Sequence, residues 1–109
     1  LTMDHEELTK YLGRVTPGNP VSIDVLIDKN LPEKTIRAIR EELGRYAKID
    51  MDFADRDVLY LLGLRFEDPT KVREFLERVD PNAPEERRLR IRYDRPHSEP
   101  QAASTYNKI

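Results

Sequence analysis

The chain has 109 residues, 38% hydrophobic and 37% charged, with 19 Lys and Arg against 21 Asp and Glu for a net charge of -2. That length allows one domain with one modest core, and the near balance of charge excludes a global electrostatic pull toward nucleic acid or anionic lipid, so only a local patch could bind either. The absence of Cys excludes disulfides, thiolate metal sites and Cys nucleophiles. With no apolar run near the roughly 20 residues of a membrane span, and no basic and apolar start of a signal peptide, the expected location is the cytoplasm.

Asp4 and Glu7 stand at capping-box spacing and Gly13 offers a stop, which predicts a helix from Asp4 to Leu12. Its apolar positions Leu8, Tyr11 and Leu12, extended by Val15, fall on one face. Pro17-Gly18-Asn19-Pro20 then breaks the chain, so residues 1–20 read as an N-terminal helix and linker, and a new unit starts at Val21. Val21, Ile23, Val25 and Ile27 alternate with Ser22, Asp24, Leu26 and Asp28, the period of a strand with one buried face. Asn30 and Glu33 form a second capping pair before a helix with the stripe Ile36, Ile39, Leu43 and Tyr46.

Ile49, Met51 and Phe53 alternate with Asp50 and Asp52, which predicts a second strand with its aspartates turned outward. Ala54-Asp55-Arg56-Asp57 suits a hairpin loop, and Val58, Tyr60, Leu62, Leu64 and Phe66 carry the alternation into a third strand. Asp68 and Pro69 open a helix with Val72, Phe75, Leu76 and Val79 as its stripe; Leu89, Ile91 and Tyr93 mark a last strand. The order predicts an α+β, ferredoxin-like β-α-β-β-α-β sandwich over residues 21–95, with both helices on one face of an antiparallel sheet. Right-handed crossovers would order the strands fourth, first, third, second. Residues 96–109 lack periodicity and read as a flexible tail that orders on a partner, with Tyr106 and Ile109 as its apolar anchors.

Asp28-Lys29-Asn30-Leu31-Pro32-Glu33-Lys34-Thr35 resembles the first strand-to-helix junction of the RNA-recognition motif, and Gly63-Leu64-Arg65-Phe66-Glu67-Asp68-Pro69 resembles the end of that family's third strand. The resemblance covers about 75 residues and implies that family's split sandwich, whose sheet usually stacks bases on aromatic rings. Aligned on Phe66, the ring positions fall at Leu61, Gly63 and near Leu26, so the rings themselves are missing.

The face away from the helices is expected to carry Asp24, Leu26 and Asp28 from the first strand, Asp50 and Asp52 from the second, Leu59, Leu61 and Arg65 from the third, and Arg88, Arg90 and Arg92 from the fourth. The arginines are placed to pair across strands with Asp24 and Asp28, or, with Arg65, to track phosphates. Leu26, Leu59 and Leu61 form an apolar centre that needs a cover: the N-terminal helix through Leu8, Tyr11 and Leu12, a second copy of the chain, or another protein. Asp24, Asp52, Asp55 and Asp57 would suit a metal-dependent phosphoryl-transfer site only if they converged. The scattered glycines form no phosphate loop, and His5 and His97 have no partners at ligand or triad spacing, so neither cofactor nor metal is expected. The expected function is a small non-catalytic protein-interaction or structural assembly module that binds itself or a protein partner through the sheet face and its terminal segments. RNA binding through the arginines is the alternative.

Overall fold

The computed structural model describes residues 3–54 and 59–96, with side chains described for 3–50 and 60–96. The chain is α+β. The elements in chain order are α1 (His5–Leu12), β1 (Val21–Asp28), α2 (Glu33–Tyr46), β2 (Lys48–Ala54), β3 (Leu59–Phe66), α3 (Pro69–Arg78), a single 3-10 turn (Glu85–Arg87) and β4 (Ile91–Asp94). The strands form one antiparallel sheet in the order β2-β3-β1-β4, which read from the other edge is β4-β1-β3-β2. No helix among the described residues is long and apolar enough to cross a membrane.

Local chemistry sets the helix starts. Asp4 caps α1 by accepting from the Glu7 amide at 2.8 Å, and Asp68 caps α3 by accepting from the Thr70 amide at 2.8 Å. The expected Asn30–Glu33 capping pair does not form. Asp28 instead accepts from the Asn30 amide at 2.8 Å in a tight turn, and the Pro32 carbonyl receives the Thr35 and Ile36 amides at 2.9 and 3.0 Å. Pro32 fits the N-cap because its fixed φ and missing N–H cost nothing there.

The core lies on one side of the sheet. Ile23, Val25 and Ile27 of β1 and Leu62, Leu64 and Phe66 of β3 are fully buried and pack with Ile36, Ile39 and Leu43 of α2 and Val72 and Phe75 of α3. Met3, Leu8, Leu12 and Val15 belong to this same cluster. The N-terminal helix therefore joins the helix layer and shares one core with the sheet. His5 Nε2 donates to the Leu76 carbonyl at 3.2 Å, and the Met3 amide donates to the Tyr93 carbonyl at 3.1 Å, which ties the segment to α3 and to the outer edge of β4. Of the three covers open to the sheet leucines, the N-terminal helix with Leu8, Tyr11 and Leu12 is the one that this packing removes. The stripe was read correctly, but it points to the opposite side of the sheet.

A charged clamp joins α2 to α3. Glu42 accepts from Arg78 Nε and, at 2.9 Å, from Arg78 Nη2, while Tyr46 donates to the same carboxylate at 2.6 Å. The forked bond from Arg78, first, holds the Glu42 carboxyl below its ordinary value. Burial, and then the bond to Glu42, pushes the Tyr46 phenol from 10.0 up to about 12. Since the Glu42 pKa is lowered on folding, its contribution is present above the unfolded value of 4.5 and is lost as pH falls through the folded value. Glu42→Gln is expected to cost about 1–3 kcal/mol at neutral pH. Urea unfolding of both proteins checks this: the gap between them should close on going from pH 7 to strongly acid solution, and a gap independent of pH would contradict the ionic role.

Candidate interface on the open sheet face

The face away from the helices can be built row by row from the strand pairing. Gly63 of β3 pairs with Asp24 of β1, and Asp24 with Asp94 of β4. The next row pairs Leu61 with Leu26 and Leu26 with Arg92. Beyond it Leu59 pairs with Asp28, and on the other side Arg65 pairs with Ser22. These residues alternate with the core positions of their strands, as the period of two requires.

β2 departs from the simple alternation. Lys48 and Ile49 pair with Arg65 and Leu64, but Met51 pairs with Gly63, so Asp50 is an extra, unpaired residue. This β-bulge reverses the parity of everything after it. Met51 and Phe53 occupy register positions in the rows of Gly63 and Leu61, and Asp52 stands opposite Leu62 on the core side. The expected outward pair Asp50 and Asp52 is therefore corrected: Asp50 is an exposed bulge, and Asp52 changes face. The apolar row now crosses three strands, as Phe53, Leu61 and Leu26, with Arg92 at its end. A bulge and charged residues on the outer strand β2 also discourage edge-to-edge pairing.

The arginine ladder is not built as expected. Arg88 and Arg90 precede β4, which begins only at Ile91, because the Glu85–Arg87 turn and the bond from the Leu89 amide to the Arg78 carbonyl, 3.2 Å, hold the chain against α3. Arg88 lines a groove of about 620 Å³ with Val79, Glu85, Glu86 and Tyr93, and its Nε is buried without a hydrogen-bond partner among the described residues. Arg92 alone lies in the strand, opposite Leu26, while Asp24 stands opposite Asp94 in the register. Arg65, Arg90 and Arg92 are exposed.

The open face is not uniformly accessible. Asp24 is 0% exposed and Leu61 7% exposed, whereas Leu26 is half-buried and Asp28 exposed. Asp94 Oδ1 is buried and accepts no hydrogen bond from the described residues. Leu8 and Leu12 are fully buried in the core and Tyr11 packs at its margin beneath the Arg14 guanidinium, 5.8 Å from the ring centroid; none of the three belongs to this face. The Leu59 side chain, Tyr106 and Ile109 lie outside the described residues.

Of the four carboxylates of the metal reading, Asp24 and Asp52 hold register positions on opposite faces of the sheet, while Asp55 and Asp57 lie outside the described residues. No group of three or more His, Cys, Asp or Glu able to hold a metal occurs among the described residues. The bulge is the feature that sequence reading missed. Ile49-Asp50-Met51-Asp52-Phe53 has unbroken alternation, and only its pairing with β3 reveals the extra residue. Compared with known proteins, the chain matches no family model, no curated protein and no solved structure.

Proposed function

We propose that the chain is a small assembly module on a ferredoxin-like frame, with an added N-terminal helix, that self-associates through the open face of its sheet. The observation that carries this reading is the apolar row Phe53, Leu61 and Leu26, widened by the bulge at Asp50 and framed by Arg65, Arg92 and Asp28. An apolar centre with a charged rim is the ordinary make-up of a protein interface. A two-fold pair of such faces buries both centres at once, and isologous dimers are the commonest outcome for a self-complementary patch.

Sedimentation from low micromolar to millimolar concentration tests this. The full chain is expected to shift reversibly from monomer to dimer, and Leu26→Asp to remain monomeric with an unchanged circular dichroism spectrum. A wild type that stays monomeric throughout would overturn the reading. A second reading, RNA binding, is favoured by the exposure of Arg65, Arg90 and Arg92. It requires binding to single-stranded RNA that weakens steeply with salt and is lost on replacing Arg65, Arg88, Arg90 and Arg92 by Ala.

A further inference from the structure

We propose that the groove between β4 and the C-terminal end of α3 captures the free C-terminus of a partner protein. Its frame is the outer edge of the sheet, where β4 pairs with β1 on one side only. In an antiparallel pair, successive residues direct their N–H and C=O alternately toward the neighbouring strand and away from it. The Tyr93 carbonyl is directed away, because it accepts from the Met3 amide at 3.1 Å. Ile91, two residues earlier in the same register, therefore also presents its N–H and C=O to the outer edge. These groups and the Tyr93 N–H have no outer backbone partner among the described residues. The free stretch is short. Met3 occupies one end, and at the other the Leu89 amide is bonded to the Arg78 carbonyl at 3.2 Å. About 13 Å of edge separates Leu89 from Tyr93, which admits the last two or three residues of a chain end but not a long strand passing through.

The walls match a chain that ends in an apolar residue. Val79, just past α3, lines one side of the groove, and Leu89, Ile91 and Tyr93 line the other. Arg88 and Arg90 supply the charge. Both line the groove, Arg88 Nε has no acceptor, and neither guanidinium forms a salt bridge among the described residues. A guanidinium holds a carboxylate through two parallel N–H···O bonds. A C-terminal carboxylate sits on the main chain itself, so it can meet Arg88 while the peptide groups before it bond to the Ile91 edge. Glu85 and Glu86 line the same groove from the 3-10 turn and suit a basic residue just upstream of that terminus. They also disfavour a bare inorganic anion, which would gain nothing from the apolar walls or the open backbone edge.

Fluorescence anisotropy with the full chain provides the test, using a fluorescein-labelled peptide Gly-Ser-Lys-Thr-Val-Thr-Val with a free carboxylate and the same peptide as its C-terminal amide. The free acid is expected to bind about tenfold more tightly than the amide. Arg88→Gln should abolish that difference with an unchanged circular dichroism spectrum. Arg90→Gln, at an exposed position, should weaken the free acid severalfold and leave the amide as it was. Equal binding of the two forms, no binding of the free acid up to millimolar concentration, or an equal loss for both forms in the variants would overturn the proposal. Excess inorganic phosphate should leave the peptide bound; complete displacement would make the groove a simple anion site and overturn it too. Amide spectra of the full chain locate the peptide. Shifts are expected at Ile91 and Tyr93, whereas shifts confined to Leu26, Leu61 and Gly63 would put the peptide on the open face and remove the groove from the account.

Discussion

Phe75→Ala is expected to destabilise the fold by about 3–5 kcal/mol, the range for deleting a fully buried ring. Phe75 is 0% exposed and stands where three elements meet. Its ring lies 5.0 Å from that of Phe66 on β3 and 5.9 Å from that of Tyr46 on α2, tilted by 51° and 58°. Offset and tilted aromatic pairs add about 0.5–1.5 kcal/mol each beyond buried area, so truncation removes packing on two sides at once. It also loosens the seat of Tyr46, which donates to Glu42 in the α2–α3 clamp. Urea unfolding followed by circular dichroism measures the loss. A cost below about 1 kcal/mol would show that the site collapses around the missing ring, contrary to the packing described.

Leu8→Ala carries the second large effect, about 2–5 kcal/mol. In a helix of only eight residues, His5–Leu12, local propensity alone is too weak to maintain structure in water. The helix persists because Leu8 and Leu12, 0% and 1% exposed, sit in the same core as the sheet and the other helices. A large loss in a single cooperative transition is expected. A small loss, or an early separate transition of the N-terminal segment, would mean that α1 is an appendage. The same substitution distinguishes the two sides of the sheet, since a helix lying over Leu26 and Leu61 would on removal expose that face, whereas loss of α1 from the core leaves it unchanged.

Much of this architecture was legible in the residues. The alternation of Val21 to Asp28 and of Tyr60 to Phe66 located two strands and their buried sides, and Ile23, Val25, Leu62 and Leu64 are indeed fully buried. The stripes of Ile36, Ile39 and Leu43 and of Val72 and Phe75 located two helices, and Asp4 and Asp68 cap as their positions indicated. Periodicity gives the face of an element relative to itself, but not which side of a sheet that element will choose. The Leu8 and Leu12 stripe is equally compatible with both sides, and only the tertiary bonds of His5 and Met3 fix it.

The site was less legible for a related reason. Cross-strand partners depend on register, and register depends on bulges and on where a strand actually begins. One extra residue at Asp50 shifts Met51 and Phe53 to register positions opposite Gly63 and Leu61, and a start at Ile91 removes Arg88 and Arg90 from the ladder. Leu26 and Leu61 were nevertheless identified as the centre of the open face, because they depend only on the long, regular pairing of β1 with β3.

The claim on which the rest depends is that α1 belongs to the helix-side core and leaves the open face to another occupant. Methyl cross-relaxation in the full-length chain tests it most directly. Leu8 and Leu12 methyls should show cross-peaks to the core methyls of β1, β3 and α3 and none to Leu26 or Leu61. Cross-peaks from Leu8 or Leu12 to Leu26 and Leu61 would contradict the account.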